Sequence, residues 1–273
     1  MPELPEVETL RRQLEKTIVG KKISQIEILR TKSFQGKKQK LIGQTVKKIK
    51  RQAKLLRIKF IEEFPQLLIH LKLTGQLIYQ KKDKYTRVII TFSDKSKLYF
   101  NDLRVFGWLK VIENEASLNE ALKGLRGIEP LTKEFTPKNL EAQLKRTAQP
   151  IKIALMSQNL IAGVGNIYTN DALWEAKIHP QITAKFLTDQ EIGLLHKAVE
   201  KVIRLGIKYG GASENTYRQL SGRTGQYQNH FLVYQREGEK CRRCGEEIKR
   251  IRLGGRGTFF CPKCQPERWS KYI

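Results

Sequence analysis

Four cysteines near the end of the sequence form the pattern with the most defined chemistry. They make two C-x-x-C pairs with sixteen residues between the pairs, at Cys241, Cys244, Cys261 and Cys264. Four thiolates so spaced are typical of a tetrahedral zinc site, and disulfides are rare in reducing compartments. We therefore expect one structural zinc ion per chain, with no coordination position left for a substrate.

The residues between the two pairs predict a β-hairpin. In "EEIKRIRLGGRGTFF", apolar Ile248, Ile251 and Leu253 alternate with basic residues until Gly254-Gly255. The metal would tie the ends of this hairpin, and Arg256 would lie at its tip. A guanidinium held there is well placed to bind a phosphate, although an ordinary solvated loop arginine would have the same local sequence.

The amino terminus, "MPELPEVETL", concentrates proline and glutamate. A helix start explains Pro5 and the glutamates that follow, because both favour the first helical turn. The apolar residues Val7, Leu10 and Leu14 then recur at helical spacing. A helix start does not explain Pro2-Glu3, which precede it.

The composition indicates a basic folded protein. The chain has 273 residues, enough for two domains, and 52 Lys and Arg against 27 Asp and Glu give a formal charge of +25. Nucleic acid is the first partner to expect, and an anionic membrane surface is the second. A basic ribosomal or structural protein would share this charge. The sequence shows no bilayer-spanning apolar run and no signal peptide, so we expect a cytoplasmic protein.

The hydrophobic pattern changes along the chain. From about residue 15 to 112, short runs such as "KISQIEIL", "KLLRIKFI", "QLLIHLKL" and "RVIITF" predict the strands of a sandwich or barrel. A domain boundary is predicted near 128–136, where helical spacing gives way to a Gly/Pro connection. Helices are predicted beyond it at 137–145, 150–158, 166–176 and 188–209.

Two glycine-containing stretches in the second half are candidates for function. In "IAGVGNIYTNDALW", Gly163 and Gly165 precede a helix beginning near Asn166, whose free N–H groups could bind a phosphate; a plain glycine turn is equally compatible. The stretch 210–230 is glycine-rich, polar and long for a connection. Such a segment is usually a mobile functional loop or disordered.

Three motifs, "PELPEVET", "GVGNIY" and "GGRGTFFCPKCQ", occur in this order. Together they resemble the bacterial formamidopyrimidine-DNA glycosylase family over essentially the full length. The resemblance implies an α+β multidomain protein that acts as a monomer on double-stranded DNA held between its halves. Its domains would be a two-layer β-sandwich with flanking helices (1–130), a helix–two-turns–helix domain (131–232) and a zinc finger (233–273). The stretch 210–230 would be the loop that closes over the flipped base.

The resemblance also implies an activity, excision of 8-oxoguanine and formamidopyrimidines followed by β- and δ-elimination. Removal of Met1 would expose the secondary amine of Pro2. An α-amino group titrates near about 8, roughly two units below lysine, so a useful fraction is neutral and nucleophilic. Its attack at the sugar C1′ would yield an iminium that draws electrons from C2′ and drives both eliminations.

The family's remaining catalytic roles fall on three residues. Glu3 would protonate the ribose ring oxygen, Lys54 in "RQAKLL" would donate a proton during β-elimination, and Arg256 would bind phosphates and assist δ-elimination. Read without the resemblance, Lys54 is one more solvated base. Glu6 is expected to order the turn.

The resemblance assigns other residues to DNA handling. Arg104 and Phe106 in "NDLRVFG" would fill the gap left by the extruded nucleotide, with Leu73 where relatives commonly have methionine. By periodicity alone, Leu73 could equally be sandwich core. The further DNA-binding positions carried over are Tyr85, His70, Lys152 and Asn166. Tyr85 stands where several members carry histidine, and Lys152 lacks the proline that often follows it. His70 could equally be a core histidine.

Three alternatives remain open from the sequence. The nearest is an endonuclease VIII-like enzyme for oxidised pyrimidines, although that family typically opens with Pro-Glu-Gly-Pro instead of Pro-Glu-Leu-Pro. The others are a non-catalytic zinc-ribbon DNA-binding protein and a basic zinc-ribbon RNA-binding protein. Neither of these last two accounts for "PELPEVET" together with Lys54 and Arg256.

Overall fold

The computed structural model describes residues 1–214 and 216–267, so residue 215 of the predicted closing loop lies outside the described residues. The chain forms two compact units. The first unit contains Met1–Lys123 and Gly206–Gln228, and the second contains Gly124–Leu205 and the chain from Asn229 onward. The segment 206–228 therefore belongs with the amino-terminal residues.

The first unit is a β-sandwich with two helices. Its helices are α1 (Leu4–Ile18) and α2 (Glu115–Leu122). Its strands are β1 (Ile23–Ile28), β2 (Phe34–Gln35), β3 (Val46–Gln52), β4 (Leu55–Phe60), β5 (Gln66–His70), β6 (Gly75–Tyr79), β7 (Thr86–Phe92), β8 (Lys97–Asp102) and β9 (Trp108–Ile112). One sheet has the order β1-β7-β8-β6 and the other β2-β9-β5-β4-β3. The predicted two-layer sandwich is confirmed.

Apolar residues line the face of each sheet that points into the sandwich. In the five-stranded sheet, the paired residues Ile49, Ile58, Leu67 and Val111 form one buried row across four strands. Because side chains on a strand alternate between faces, their sequence neighbours point away from this core. The row therefore fixes the register of the strands whose ends carry the candidate site.

Helix α1 closes one side of this core. Val7, Leu10, Leu14 and Ile18 are all fully buried and belong to the core cluster of the sandwich. Burial of each such side chain stabilises the fold by about 1.5–3 kcal/mol. The helix begins at Leu4 and thus immediately follows Pro2-Glu3. Its start is held in place by the packing of its own apolar face.

In its described residues, the second unit contains four α-helices and one hairpin. These are α3 (Pro137–Leu144), α4 (Ile151–Met156), α5 (Asn166–Glu175), α6 (Asp189–Lys208, which continues into the first unit), β10 (Lys249–Leu253) and β11 (Arg256–Phe260). All four predicted helices and the predicted hairpin are confirmed. Helix α5 is buried on every side from Ile167 to Trp174, and it packs against β11.

One predicted strand is shorter than expected. The run "QLLIHLKL" predicts a strand to residue 73, but β5 ends at His70. The chain then turns, with Lys72 at a φ of 52° and the Gly75 N–H donating to the Leu71 carbonyl at 2.9 Å. Leu73 is therefore in a turn. Among the described residues, no helix combines the length and the apolar character needed to cross a membrane.

Candidate active site

The amino-terminal motif is buried except for Met1. Pro2 and Glu3 are buried, whereas Met1 is exposed. One carboxylate oxygen of Glu6, Oε2, accepts a hydrogen bond from the Glu3 N–H at 2.7 Å, which fixes the turn into α1. The other oxygen, Oε1, accepts from the Ala212 N–H at 2.8 Å. Glu6 thus joins the amino terminus to the segment 206–228 as well as ordering its own turn.

The segment 206–228 packs closely around Glu6. Gly211 has a φ of 84°, and a Cβ atom there would lie 2.8 Å from the Glu6 Cγ and 2.9 Å from the Tyr217 ring. The Tyr217 hydroxyl donates to the Glu6 carbonyl at 3.3 Å. Burial and the Glu6 charge raise the pKa of Tyr217 well above its usual value, so this hydroxyl keeps its proton. Only glycine fits at 211.

The third glutamate of the motif, Glu8, forms ion pairs that stabilise the fold. Its carboxylate contacts three arginines, Arg11 at 3.0 Å, Arg12 at 2.8 Å and Arg51 at 3.1 Å. Although burial opposes ionisation, these guanidinium groups lower the pKa of Glu8 to about 2. The Arg51 contact joins α1 to β3. Glu8 therefore stays ionised and holds the helix on the sheet.

Three site residues predicted from the sequence follow residues with left-handed backbones. Ala53 (φ 51°) precedes Lys54, Lys72 (φ 52°) precedes Leu73, and Val105 (φ 57°) immediately precedes Phe106. Such conformations are uncommon outside glycine, and for a β-branched residue like Val105 they are strained. Each lies in a turn at the end of a sandwich strand. The rigid sheets hold these turns in conformations that the residues would not adopt alone.

His70, at the end of β5, has an uncharged side chain. Burial, followed by the positive charges of Lys72 and Lys54, lowers its pKa to about 3. Its Nδ1 accepts a hydrogen bond from the Lys72 N–H at 2.9 Å, and its ring contacts Trp108. The imidazole is therefore neutral at physiological pH and helps to order the turn that carries Leu73.

The residues predicted to fill a gap in DNA are accessible at the surface of the first unit. Phe106 is 51% exposed, and the Arg104 guanidinium lies 4.8 Å from the centre of its ring. Leu73 is half-buried and lies outside the core cluster of the sandwich. Tyr85 is half-buried in the turn before β7, beside Lys84.

The two predicted phosphate-binding residues of the second unit, Asn166 and Lys152, differ in their exposure. Asn166 is half-buried at the start of α5, and its side-chain amide donates to the Gly257 carbonyl at 3.3 Å. Lys152 is fully buried, so its ammonium is not presented to solvent in this structure. The glycine turn before α5 is ordered by Gln158, which donates to the Val164 carbonyl and accepts from the Gly163 N–H.

Helix α5 holds the hairpin that carries Arg256. Asn170 accepts a hydrogen bond from the Phe259 N–H at 2.7 Å. The buried Asp171 Oδ1 accepts from three successive backbone N–H groups, at residues 232, 233 and 234, at 3.0–3.2 Å. Arg256 itself is exposed and is the first residue of β11, paired with Leu253. The motif "GVGNIYTND" thus positions the hairpin as well as forming a turn.

The four cysteines form a compact ligand set. All four Sγ atoms lie within 4.8 Å of one another, with Cys241–Cys264 at 3.9 Å and Cys244–Cys261 at 3.4 Å. A tetrahedral zinc ion with bonds of about 2.3 Å requires sulfur–sulfur distances of about 3.8 Å. The four thiolates therefore fit one structural zinc ion, with no position left for a substrate.

Other residues orient these ligands. The Trp174 indole N–H donates to the Cys241 Sγ at 3.3 Å, and the Arg243 guanidinium stacks 3.8 Å from the centre of the indole. Gln265 accepts from the Cys261 N–H and donates to the Ile178 carbonyl, and it is fully buried. These contacts fix the zinc ligands to α5 and to the chain that follows it.

Sequence reasoning missed several residues that organise the site. Asn170, Asp171 and Trp174 gave no signal beyond helical spacing, although they tie α5 to the zinc finger. Asp102 in "NDLRVFG" also lies outside any periodic pattern, yet its side chain is fully buried and accepts three hydrogen bonds. An acidic residue directly before a turn was the only available hint.

Comparison with known proteins matches three regions of the chain. Residues 1–109 match the formamidopyrimidine-DNA glycosylase N-terminal domain, residues 126–218 match the H2TH domain of the same enzyme, and residues 238–266 match the zinc finger found in FPG and IleRS. The chain is 41% identical to a formamidopyrimidine-DNA glycosylase from Lactococcus lactis, covering 97% of this chain and 99% of the relative. A relative from Ligilactobacillus salivarius with the same name is 38% identical with the same coverage.

Solved structures agree with this comparison. A complex between the Lactococcus lactis Fpg and DNA containing an abasic site has a TM-score of 0.89 and 39% identity, covering 97% of this chain and 100% of that one. The MutM (Fpg) protein from Thermus thermophilus has a TM-score of 0.90 and 34% identity, covering 98% of this chain and 100% of that one. By its sequence, its fold and its zinc finger, this chain belongs to the formamidopyrimidine-DNA glycosylase family.

Proposed function

We propose that this protein is a base-excision repair enzyme that removes oxidised purines from double-stranded DNA and then cleaves the strand. The observation that carries this proposal is the arrangement at the amino terminus, where Glu6 fixes the backbone of Glu3 and so orients Pro2-Glu3. The family membership supports it, as does the structure of a mutant of the Lactococcus lactis FPG in complex with DNA that contains Fapy-dG. A non-catalytic DNA-binding protein would not need Pro2-Glu3 together with Lys54 and Arg256.

In the proposed mechanism, the Pro2 nitrogen is the nucleophile once Met1 has been removed. It attacks C1′ of the damaged nucleotide, and the base leaves with the electrons of the glycosidic bond. The attacking nitrogen gives up its N–H proton, which neutralises the departing base. Glu3 protonates the ring oxygen, the sugar opens, and the iminium forms between the proline nitrogen and C1′. Because this nitrogen has no proton to lose, the iminium stays cationic and acidifies the C2′ proton.

Strand cleavage then follows from the same cation. Loss of the C2′ proton expels the 3′-phosphate, with Lys54 donating a proton during this step, and a second elimination expels the 5′-phosphate with help from Arg256. Lys54 lies in the strained turn between β3 and β4, buried and within electrostatic range of His70. Because His70 is neutral, it supplies no competing proton at physiological pH.

The remaining site residues are proposed to handle DNA. Arg104, Phe106 and Leu73 would fill the gap left by the extruded nucleotide, which is consistent with their accessible positions and the apolar character of the last two. Tyr85, His70, Asn166 and Lys152 would contact or support the bound strand. Lys152 could do so only if its buried ammonium becomes accessible.

We further propose that the chain acts as a monomer in the cytoplasm, associated with the nucleoid through its charge. Three functional regions would divide this work, a catalytic sandwich in 1–130, a DNA-binding region in 131–232 and a zinc finger in 233–273. The charge of +25 predicts DNA affinity that falls steeply as salt rises.

Borohydride trapping tests the proposal directly. The protein without Met1 should form a covalent adduct with a duplex containing 8-oxoguanine opposite cytosine, because hydride reduces the iminium. A form that keeps Met1 should bind the same DNA and form no adduct, since the Pro2 nitrogen is then an amide. Normal trapping with Met1 in place would contradict the nucleophile. Trapping only on oxidised pyrimidines would favour the endonuclease VIII-like alternative.

A further inference from the structure

Asp102 is a buried acid at the end of a strand that the mechanism above does not use. It is the last residue of β8, where the chain leaves the sheet toward Arg104 and Phe106. Its side chain is fully buried. Burying a carboxylate is costly unless its oxygens accept hydrogen bonds, so the partners of Asp102 indicate what it holds in place.

The carboxylate binds both turns that carry gap-filling residues. Its Oδ1 accepts a hydrogen bond from the Thr74 hydroxyl and from the Arg104 N–H at 3.2 Å. The Thr74 hydroxyl oxygen in turn accepts from the same Arg104 N–H at 3.0 Å. The other oxygen, Oδ2, accepts from the Gly107 N–H at 2.6 Å. One side chain therefore brackets Arg104 and Phe106 on both sides and joins them to the turn of Leu73.

The backbone of Asp102 forms hydrogen bonds with a third turn. Its N–H donates to the Tyr85 carbonyl at 2.9 Å, and its carbonyl accepts from the Arg87 Nε at 2.8 Å. The turn before β7 is thus tied to the same residue. Three separate turns, each with a residue proposed to handle DNA, meet at Asp102.

The local backbone needs such an anchor. Val105 has a φ of 57°, which is strained for a β-branched residue, and it lies between Arg104 and Phe106. At Gly107, a Cβ atom would lie 2.8 Å from the Phe100 ring and 3.1 Å from both Asp102 Oδ2 and the His70 carbonyl. Hydrogen bonds to a carboxylate are about twice as strong as those to a neutral acceptor, so the Asp102 side chain can hold this strained turn.

We propose that Asp102 is a positioning residue, which holds Leu73, Arg104 and Phe106 in one arrangement so that they can enter the DNA together when the damaged nucleotide is extruded. This inference rests on the proposed function. Asp102 touches no reacting atom in this scheme and acts only through the turns that it binds. Its loss should impair steps that need the gap filled and spare those that do not.

Asp102→Asn is the first test, because asparagine has nearly the same shape. If the amide oxygen keeps the Thr74 and Arg104 contacts, its NH2 group faces the Gly107 N–H, and two donors meet. Single-turnover excision of 8-oxoguanine from a duplex should fall by about tenfold or more, as expected for one buried group left unsatisfied. Cleavage at a preformed abasic site should be nearly unchanged, because no base has to be unstacked there.

A spectroscopic readout separates positioning from general damage to the fold. A 2-aminopurine base beside the lesion brightens when its stacking is broken, so its signal reports insertion of the gap-filling residues. Asp102→Asn should reduce this signal while the protein stays folded at the assay temperature, because one unsatisfied group lowers the melting temperature without unfolding a chain of this size. Asp94→Asn is the matched control, because Asp94 caps the turn at the opposite end of β8 by accepting from the Ser96 N–H at 3.0 Å.

Thr74 offers an independent pair of variants if Asp102→Asn folds poorly. Thr74→Val removes the hydroxyl that joins the two turns and should lower excision and the 2-aminopurine signal, whereas Thr74→Ser keeps the hydroxyl and should restore both. The inference is wrong if Asp102→Asn and Thr74→Val excise at normal rates, or if excision and abasic-site cleavage fall in proportion to stability. If the unaltered protein excises no 8-oxoguanine, the proposed function fails, and this inference fails with it.

Discussion

The contact between Glu6 and the segment 206–228 leads to a prediction about Gly211. Replacement by alanine introduces two separate costs. A non-glycine residue at a φ of 84° is destabilised by about 1–2 kcal/mol. The new Cβ atom would also lie 2.8 Å from the Glu6 Cγ and 2.9 Å from its Oε1, so the carboxylate or the segment must move.

The magnitude of the second cost follows from the bond that such a movement breaks. The Ala212 N–H donates to the Glu6 carboxylate at 2.8 Å in a buried position. Hydrogen bonds to charged groups contribute about 1.5–3 kcal/mol, so Gly211→Ala should cost about 2.5–5 kcal/mol in total. Gly222 supplies the matched control in the same segment, because its φ is 85° and no atom lies within 4 Å of its Cβ position. Gly222→Ala should cost only the backbone term, about 1–2 kcal/mol.

Urea unfolding of the two variants, followed by circular dichroism, measures the difference between them. Amide hydrogen exchange supplies the local measurement, since the Ala212 N–H should lose protection in Gly211→Ala and keep it in Gly222→Ala. Equal destabilisation by the two substitutions would refute the reasoning. So would an Ala212 amide that stays protected in Gly211→Ala, because the contact with Glu6 would then have survived.

Two further predictions concern the zinc finger and acid stability. Trp174→Phe keeps an aromatic ring but removes the N–H donor to Cys241. Zinc should therefore pass to a chromogenic chelator about tenfold more readily, while the helices remain folded. An unchanged zinc affinity would contradict this prediction. His70 has a pKa lowered to about 3, so between about pH 6.5 and 3 the unfolded chain binds a proton that the folded chain does not. The free energy of unfolding should therefore fall as the pH falls through this window. His70→Asn should reduce its slope against pH by at most about 1.4 kcal/mol per pH unit. Urea unfolding at a series of pH values measures this slope.

Features with a local signal could be predicted from the sequence. The zinc ligands follow from cysteine spacing, the helices from the 3.6-residue period, and the hairpin from alternation that ends at Gly254-Gly255. Short elements without such a signal were missed, including β6 at Gly75–Tyr79 and β9 at Trp108–Ile112. The strand before Leu73 was predicted too long, because the left-handed residue that ends it is a lysine and not a glycine.

The contacts that organise the site could not be predicted, because they join distant parts of the chain. Glu6 and Ala212 are separated by 206 positions, and the local sequence around Glu6 indicates only a helix start. Asp102 and Thr74 are separated by 28 positions, and neither belongs to a periodic pattern. Such pairs are brought together only when the sandwich and its register have formed.

Three buried acids and the exposed bases have different tasks in this strongly basic protein. Exposed bases such as Arg104 and Arg256 face solvent, where they can add to phosphate binding. Buried acids hold the backbone, because a carboxylate can accept several N–H groups at once, as Glu6, Asp102 and Asp171 do at three separate turns. Replacing one exposed base should therefore weaken DNA binding by a graded, salt-dependent amount. Replacing one buried acid leaves buried donors unsatisfied and disturbs every residue on the turns that it holds. These three buried acids thus determine how the turns that they bind present their side chains.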